Sequence, residues 1–173
     1  MKKIANSPEE LNQILNEFDW SCIVDNKKVE DCKDNWLKYR TLSANQFLSL
    51  KAGCCWDYCN FQASYFDKYF PELLYSLYII FDSNEGNHTF MIYRKEDKIK
   101  LFESSYKEFC GIYDFKEESE VFKFYLDRMD LIGSICIYQY FKPNKDNLSA
   151  EEFMNYIYSE GIPLDLSSSY LNY

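Results

Sequence analysis

The chain predicts an α+β fold, with N-terminal helices packed on a mainly antiparallel sheet. Apolar residues recur at helical spacing in 7–18, 43–50 and 55–70, then give way to near-continuous β-rich runs between 74 and 104. Runs of helices followed by runs of strands argue an α+β fold with a mainly antiparallel sheet. With 173 residues, 47% hydrophobic and 19% aromatic, the chain can bury a sizeable core. No repeat or linker divides it, and one domain spanning 1–173 is expected.

The first helix covers 7–18. Ser7 caps it, Pro8 takes the first helical position, Glu10 completes a capping box, and Leu11, Ile14, Leu15 and Phe18 form one stripe. Residues 19–35 are mixed, with room for a short irregular or extended piece, and 36–39 suggest a helical turn. Ser43 and Gln46 form a second capping box, opening a helix through Leu50. Gly53 breaks the chain before a helix over 55–70, whose inner face carries Cys55, Cys59, Ala63, Phe66 and Phe70 and which Pro71 ends.

A central strand is expected over 74–82 and a turn over 83–87. A hairpin of 88–94 with 98–104 then closes around Glu96 and Asp97. Residues 109–115 suggest a loop, 117–131 a helix on the spacing of Val121, Tyr125, Met129 and Ile132, and 134–141 a strand. Ser149 and Glu152 cap a last helix to about 159, which Gly161, Ile162 and Pro163 stop before a polar tail.

The net charge of −9 repels nucleic-acid backbones and anionic membranes, so neither is an expected partner. A peptide or protein substrate fits better, basic ones best. No signal peptide or membrane span is visible. Seven cysteines, an odd number with two adjacent, do not resemble a disulfide framework, which points to reduced thiols and a cytoplasmic location.

Chemistry concentrates at Cys55 and His88. Cys55 opens a helix, where unpaired N–H groups favour a thiolate and can hold an oxyanion. His88, the single histidine, begins a strand just after a turn and is the base best suited to a thiol. In either two-residue-turn register of the following hairpin, His88 and Glu103 point to the same face within reach of each other. Glu103 is therefore the expected orienting carboxylate, with Asp82, Asn87 and Asp57 as substitutes. Cys54, Trp56 and Gln46 are secondary candidates for contacting substrate or the oxyanion, although burial suits Cys54 and Trp56 and capping suits Gln46. Cys54, Cys55, Cys59 and His88 have the residue types of a zinc site, but no second matched pair follows, so no metal or organic cofactor is expected.

Gly53-Cys54-Cys55-Trp56 resembles the Gly-x-Cys-Trp element of the transglutaminase-like branch of the papain-like superfamily. His88-Thr89-Phe90 is similar to its histidine element and Leu101-Phe102-Glu103-Ser104 to its acidic one, with Glu where the family usually has Asp. The resemblance covers roughly 43–115. It implies a papain-like, transglutaminase-like core and a Cys55–His88–Glu103 triad for acyl transfer (a peptidase, an amidase or deamidase, or a transglutaminase-like enzyme). The alternative is a catalytically inactive module of the same fold that acts by binding proteins.

Overall fold

The computed structural model describes residues 1–29, 32–83, 86–129 and 133–165. Residues 84 and 85 of the expected 83–87 turn, the far end of the expected 117–131 helix and the tail from 166 onward lie outside them. Among the described residues the fold is α+β, with six α-helices and an antiparallel sheet of six strands.

Helix α1 (Pro8–Asn16) is capped by Ser7, whose hydroxyl accepts from the Glu10 N–H. The Glu10 carboxylate, however, accepts from the Asn6 N–H at 2.7 Å, one residue earlier than a capping box requires. Short strands follow: β1 (Asp19–Trp20), β2 (Cys22–Val24) and β3 (Lys27–Val29). Asp25 and Asn26, both with positive φ, form the two-residue turn between β2 and β3. Helices α2 (Cys32–Asn35) and α3 (Ala44–Leu50) come next, separated by a 3₁₀ turn at Trp36–Lys38. Strand β4 (Ala52–Gly53) pairs in parallel with β1 and delivers the chain to α4 (Cys55–Tyr69).

The sheet is built from β5 (Tyr75–Asp82), β6 (Gly86–Lys95), β7 (Lys98–Glu103), β8 (Gly111–Phe115), β9 (Ile135–Tyr140) and β10 (Ile162–Leu164), in spatial order β10-β9-β5-β6-β7-β8. Helix α5 (Glu118–Leu126) packs on one face. Helix α4 lies on the other, with α6 (Ala150–Glu160) docked against it. Side-chain alternation divides the core between the faces: Leu77, Ile79, Met91 and Tyr93 point towards α4, and Tyr78, Ile80, Phe90 and Ile92 towards α5. Covered on nearly every side, α4 buries even Asn60 and Gln62.

Four expectations need correction. Residues 111–115 are an edge strand, not a loop, held to β7 by Lys98 and Lys100, which both pair with Asp114. The segment after α6 is the opposite edge strand, paired with β9 along Ile162–Leu164, and an edge is the place in a sheet where a proline is tolerated. Helix α5 ends at Leu126, well short of 131. Finally, Cys22 and Cys32 form a disulfide, because α2 brings their Cα atoms to 5.2 Å, while Cys54, Cys55, Cys59, Cys110 and Cys136 are free thiols. No helix among the described residues is long and apolar enough to cross a membrane.

Candidate active site

The junction from β4 to α4 places the nucleophile candidate. Gly53 is required by packing: a Cβ there would lie 2.7 Å from Asp57 Cβ and 3.0 Å from the Phe47 ring. The Cys54 N–H donates to Asp57 Oδ2 at 3.0 Å, and the Asp57 and Tyr58 N–H groups donate to the Cys54 carbonyl. This capping leaves the N–H groups of Cys55 and Trp56, at the first two helical positions, directed at whatever sits before the helix.

The hairpin supplies the other half. Its turn is centred on Glu96 and Asp97, with Glu96 at φ 57°, and Lys95 pairs with Lys98. Continued down the strands, this register sets position 90 opposite 103, which puts His88 diagonal to Glu103 on the α5 face. The β6–β7 ladder stops at Met91–Phe102, so the strands part just where His88 and Glu103 stand. The tip of α4 meets them in that opening, and the Cys55 thiol interacts with His88.

His88 Nε2 lies 2.8 Å from Glu103 Oε2, leaving Nδ1 as the ring nitrogen for the thiol. The Glu103 carboxylate has every acceptor position in use. Oε2 also accepts from the Tyr125 hydroxyl at 2.5 Å, and Oε1 accepts from the Ser105 N–H, the Ser105 hydroxyl and the Tyr106 N–H. Burial would raise the Glu103 pKa, but the adjacent imidazole and these donors hold it at about 2. Burial would likewise depress His88, but Glu103 and the Cys55 sulfur lift it to about 10. The adjacent Cys54 thiol, together with His88, holds Cys55 well below the ordinary thiol range despite burial. The site is thus poised as a thiolate–imidazolium pair steadied by a carboxylate.

Cys55 is only 6% exposed, but it lines a cleft of about 480 Å³ walled by Trp20, Trp36, Asn87 and the Cys22–Cys32 disulfide. Across Trp36, Gly86 and Asn87 this cleft adjoins a second one of about 440 Å³, lined by Phe81, Tyr138, Met154 and Tyr158.

The structure therefore brings Cys55, His88 and Glu103 together. Cys54 is buried but lines the same cleft as Cys55, with its sulfur 3.2 Å from the Tyr39 hydroxyl. Trp56 is fully buried, stacked on Phe153 at 4.0 Å, and donates its indole N–H to Asn87 Oδ1 at 2.9 Å. Gln46 stays in its capping box with Ser43, away from the described lining of the cleft. None of the substitutes for Glu103 contacts the imidazole: Asn87 is held by Trp56, Asp57 by the helix junction, and Asp82 accepts from the Gly133 N–H. Sequence reading missed Tyr125, Ser105 and Tyr106 as the setting of Glu103. Tyr125 lies on the inward stripe of α5, but that stripe does not show where its hydroxyl points. No family model, curated protein or solved structure matches the chain.

Proposed function

We propose that this chain is a cysteine-dependent acyl-transfer enzyme with a transglutaminase-like, papain-like core. The observation that carries the reading is the unbroken contact sequence from the Cys55 thiol through His88 to Glu103, ending in a carboxylate held as an anion. The Cys55 thiolate attacks an amide or ester carbonyl, and the Cys55 and Trp56 N–H groups hold the resulting oxyanion. Imidazolium His88 passes its proton to the leaving amine or alcohol as the carbon–heteroatom bond breaks, leaving a thioester and neutral imidazole. That imidazole then takes a proton from water, giving hydrolysis, or from an incoming amine, giving transamidation, and the thiolate is released. The cleft beside Cys55 and the second one adjoining it have room for an extended acyl donor, which supports a peptide or protein. The acidic net charge favours basic donors.

The test is pH-dependent alkylation of the full chain by iodoacetamide, read at the Cys55 peptide by mass spectrometry. Wild-type protein should react at Cys55 in mildly acidic solution, Cys55→Ala should lose that signal, and His88→Ala should move the curve up towards the ordinary thiol range. A wild-type curve already at that range would sink the reading and favour a binding module. The cytoplasmic location expected from composition stands against the Cys22–Cys32 bond, which reducing compartments disfavour. Counting free thiols in freshly isolated protein decides between them.

A further inference from the structure

Behind the thiol lies a second buried chain of polar groups that the catalytic scheme does not use. Asp57 Oδ1 accepts from the Tyr39 hydroxyl and the Leu42 N–H, each at 2.8 Å, and Oδ2 accepts from the Cys54 N–H. All three partners are donors, as an ionised carboxylate requires. The single proton of Tyr39 is therefore committed to Asp57, and the Tyr39 oxygen can only accept from the Cys54 S–H, 3.2 Å away. The Cys54 thiol also faces the Cys55 sulfur and the Asp57 carboxylate, so one hydrogen has competing acceptors.

We propose that Tyr39 and Asp57 are positioning residues that tune Cys55 by drawing the Cys54 thiol hydrogen partly away from its sulfur. A hydrogen bond to a thiolate stabilises it and makes it a weaker nucleophile. Sharing that hydrogen with Tyr39 keeps the Cys55 sulfur more basic and more reactive than full donation would. The other groups facing Cys55 are His88 and Thr89 on β6 and Cys59 one turn along α4, with Tyr125 and Tyr140 further out. None of them touches Asp57. Burial lifts Asp57 only to about 6, so it is ionised at neutral pH and keeps its hold on the Tyr39 proton. The proposal rests on Cys55 being the nucleophile only for its biological meaning.

The experiment is iodoacetamide titration of Cys55 in wild type, Tyr39→Phe, Cys54→Ala and the double variant, with thermal melts to establish folding. Tyr39→Phe removes one competitor for that hydrogen, so Cys55 receives more of it and its apparent pKa should fall by about half to one unit, at most the equivalent of one ordinary hydrogen bond. Its plateau rate constant should fall severalfold. Cys54→Ala removes the donor and shifts the pKa the other way, and the double variant should match Cys54→Ala alone. A Tyr39→Phe curve superimposed on wild type, or a Tyr39→Phe shift that persists without Cys54, would overturn the proposal. If Tyr39→Phe fails to fold, Cys54→Ala alone decides, since an unmoved or lowered pKa there refutes the shared donor. Failure of the catalytic reading shows separately, as an unmoved His88→Ala curve.

Discussion

Glu103 and Asp57 are both fully buried carboxylates that accept several hydrogen bonds, but they behave in opposite ways. Glu103 is held at about 2, whereas Asp57 rises to about 6. Burial pushes both upward. Around Asp57 the compensation comes from neutral donors alone, Leu42, Tyr39 and Cys54, and it offsets only part of the cost. Around Glu103 a group that can carry positive charge stands 2.8 Å away and reverses the sign. Neutral hydrogen bonds orient a buried acid; an adjacent cation keeps it ionised. The two acids flank the same thiol, one setting its partner's charge and the other shaping the helix tip beneath it.

The largest effect should come from Glu103→Gln. Without the anion His88 is no longer held near 10, Cys55 loses its imidazolium, and alkylation at pH 6 should drop by about tenfold or more. An unchanged rate would break the contrast, because the charge would then be irrelevant. The same variant should flatten the pH dependence of stability. Glu103, depressed from 4.5, contributes stability that is complete above 4.5 and lost as pH falls through about 2. His88, raised from 6.5, contributes stability that is complete below 6.5 and lost as pH rises through about 10.

On folding stability, read separately from reactivity, the larger loss should come from Asp57→Ala. It strands the Tyr39 hydroxyl and the N–H groups of Leu42 and Cys54, so urea denaturation should show a loss of about 3 kcal/mol or more. A loss below ~1 kcal/mol would mean that water replaces the carboxylate, and the helix tip would not depend on it. Tyr125→Phe should do least. It removes one of the five hydrogen bonds to Glu103 that are described above, costing about 1.5 kcal/mol, while His88 keeps the carboxylate ionised. A large fall in Cys55 reactivity in that variant would show that neutral donors matter at this site as much as the cation does.

Much of this arrangement was readable in the sequence where a local rule applied. The start of α4 was marked by Gly53 and an apolar period, and the shared face of His88 and Glu103 by a two-residue turn whose register stayed open between two choices. Those two elements carry Cys55, His88 and Glu103. Features that depend on distant partners were not readable. Strand β8 shows no clean alternation of buried and exposed residues, and β10 is three residues long with a proline, so neither signals a strand until β7 and β9 lie beside it. The Cys22–Cys32 bond and the Tyr39–Asp57 contact likewise join segments that only tertiary packing brings together.

Trp56, the residue after the candidate nucleophile, stacks on Phe153 of α6, and the Leu148 carbonyl just before α6 accepts from the Thr41 N–H at 2.8 Å. A ribosome makes these partners roughly a hundred residues after the cysteine itself. A nascent chain thus carries its thiol unfinished until α6 has been made, and the indole that braces it finds its partner ring only when that helix emerges. Reactivity should therefore be acquired late and abruptly along the length of the growing polypeptide.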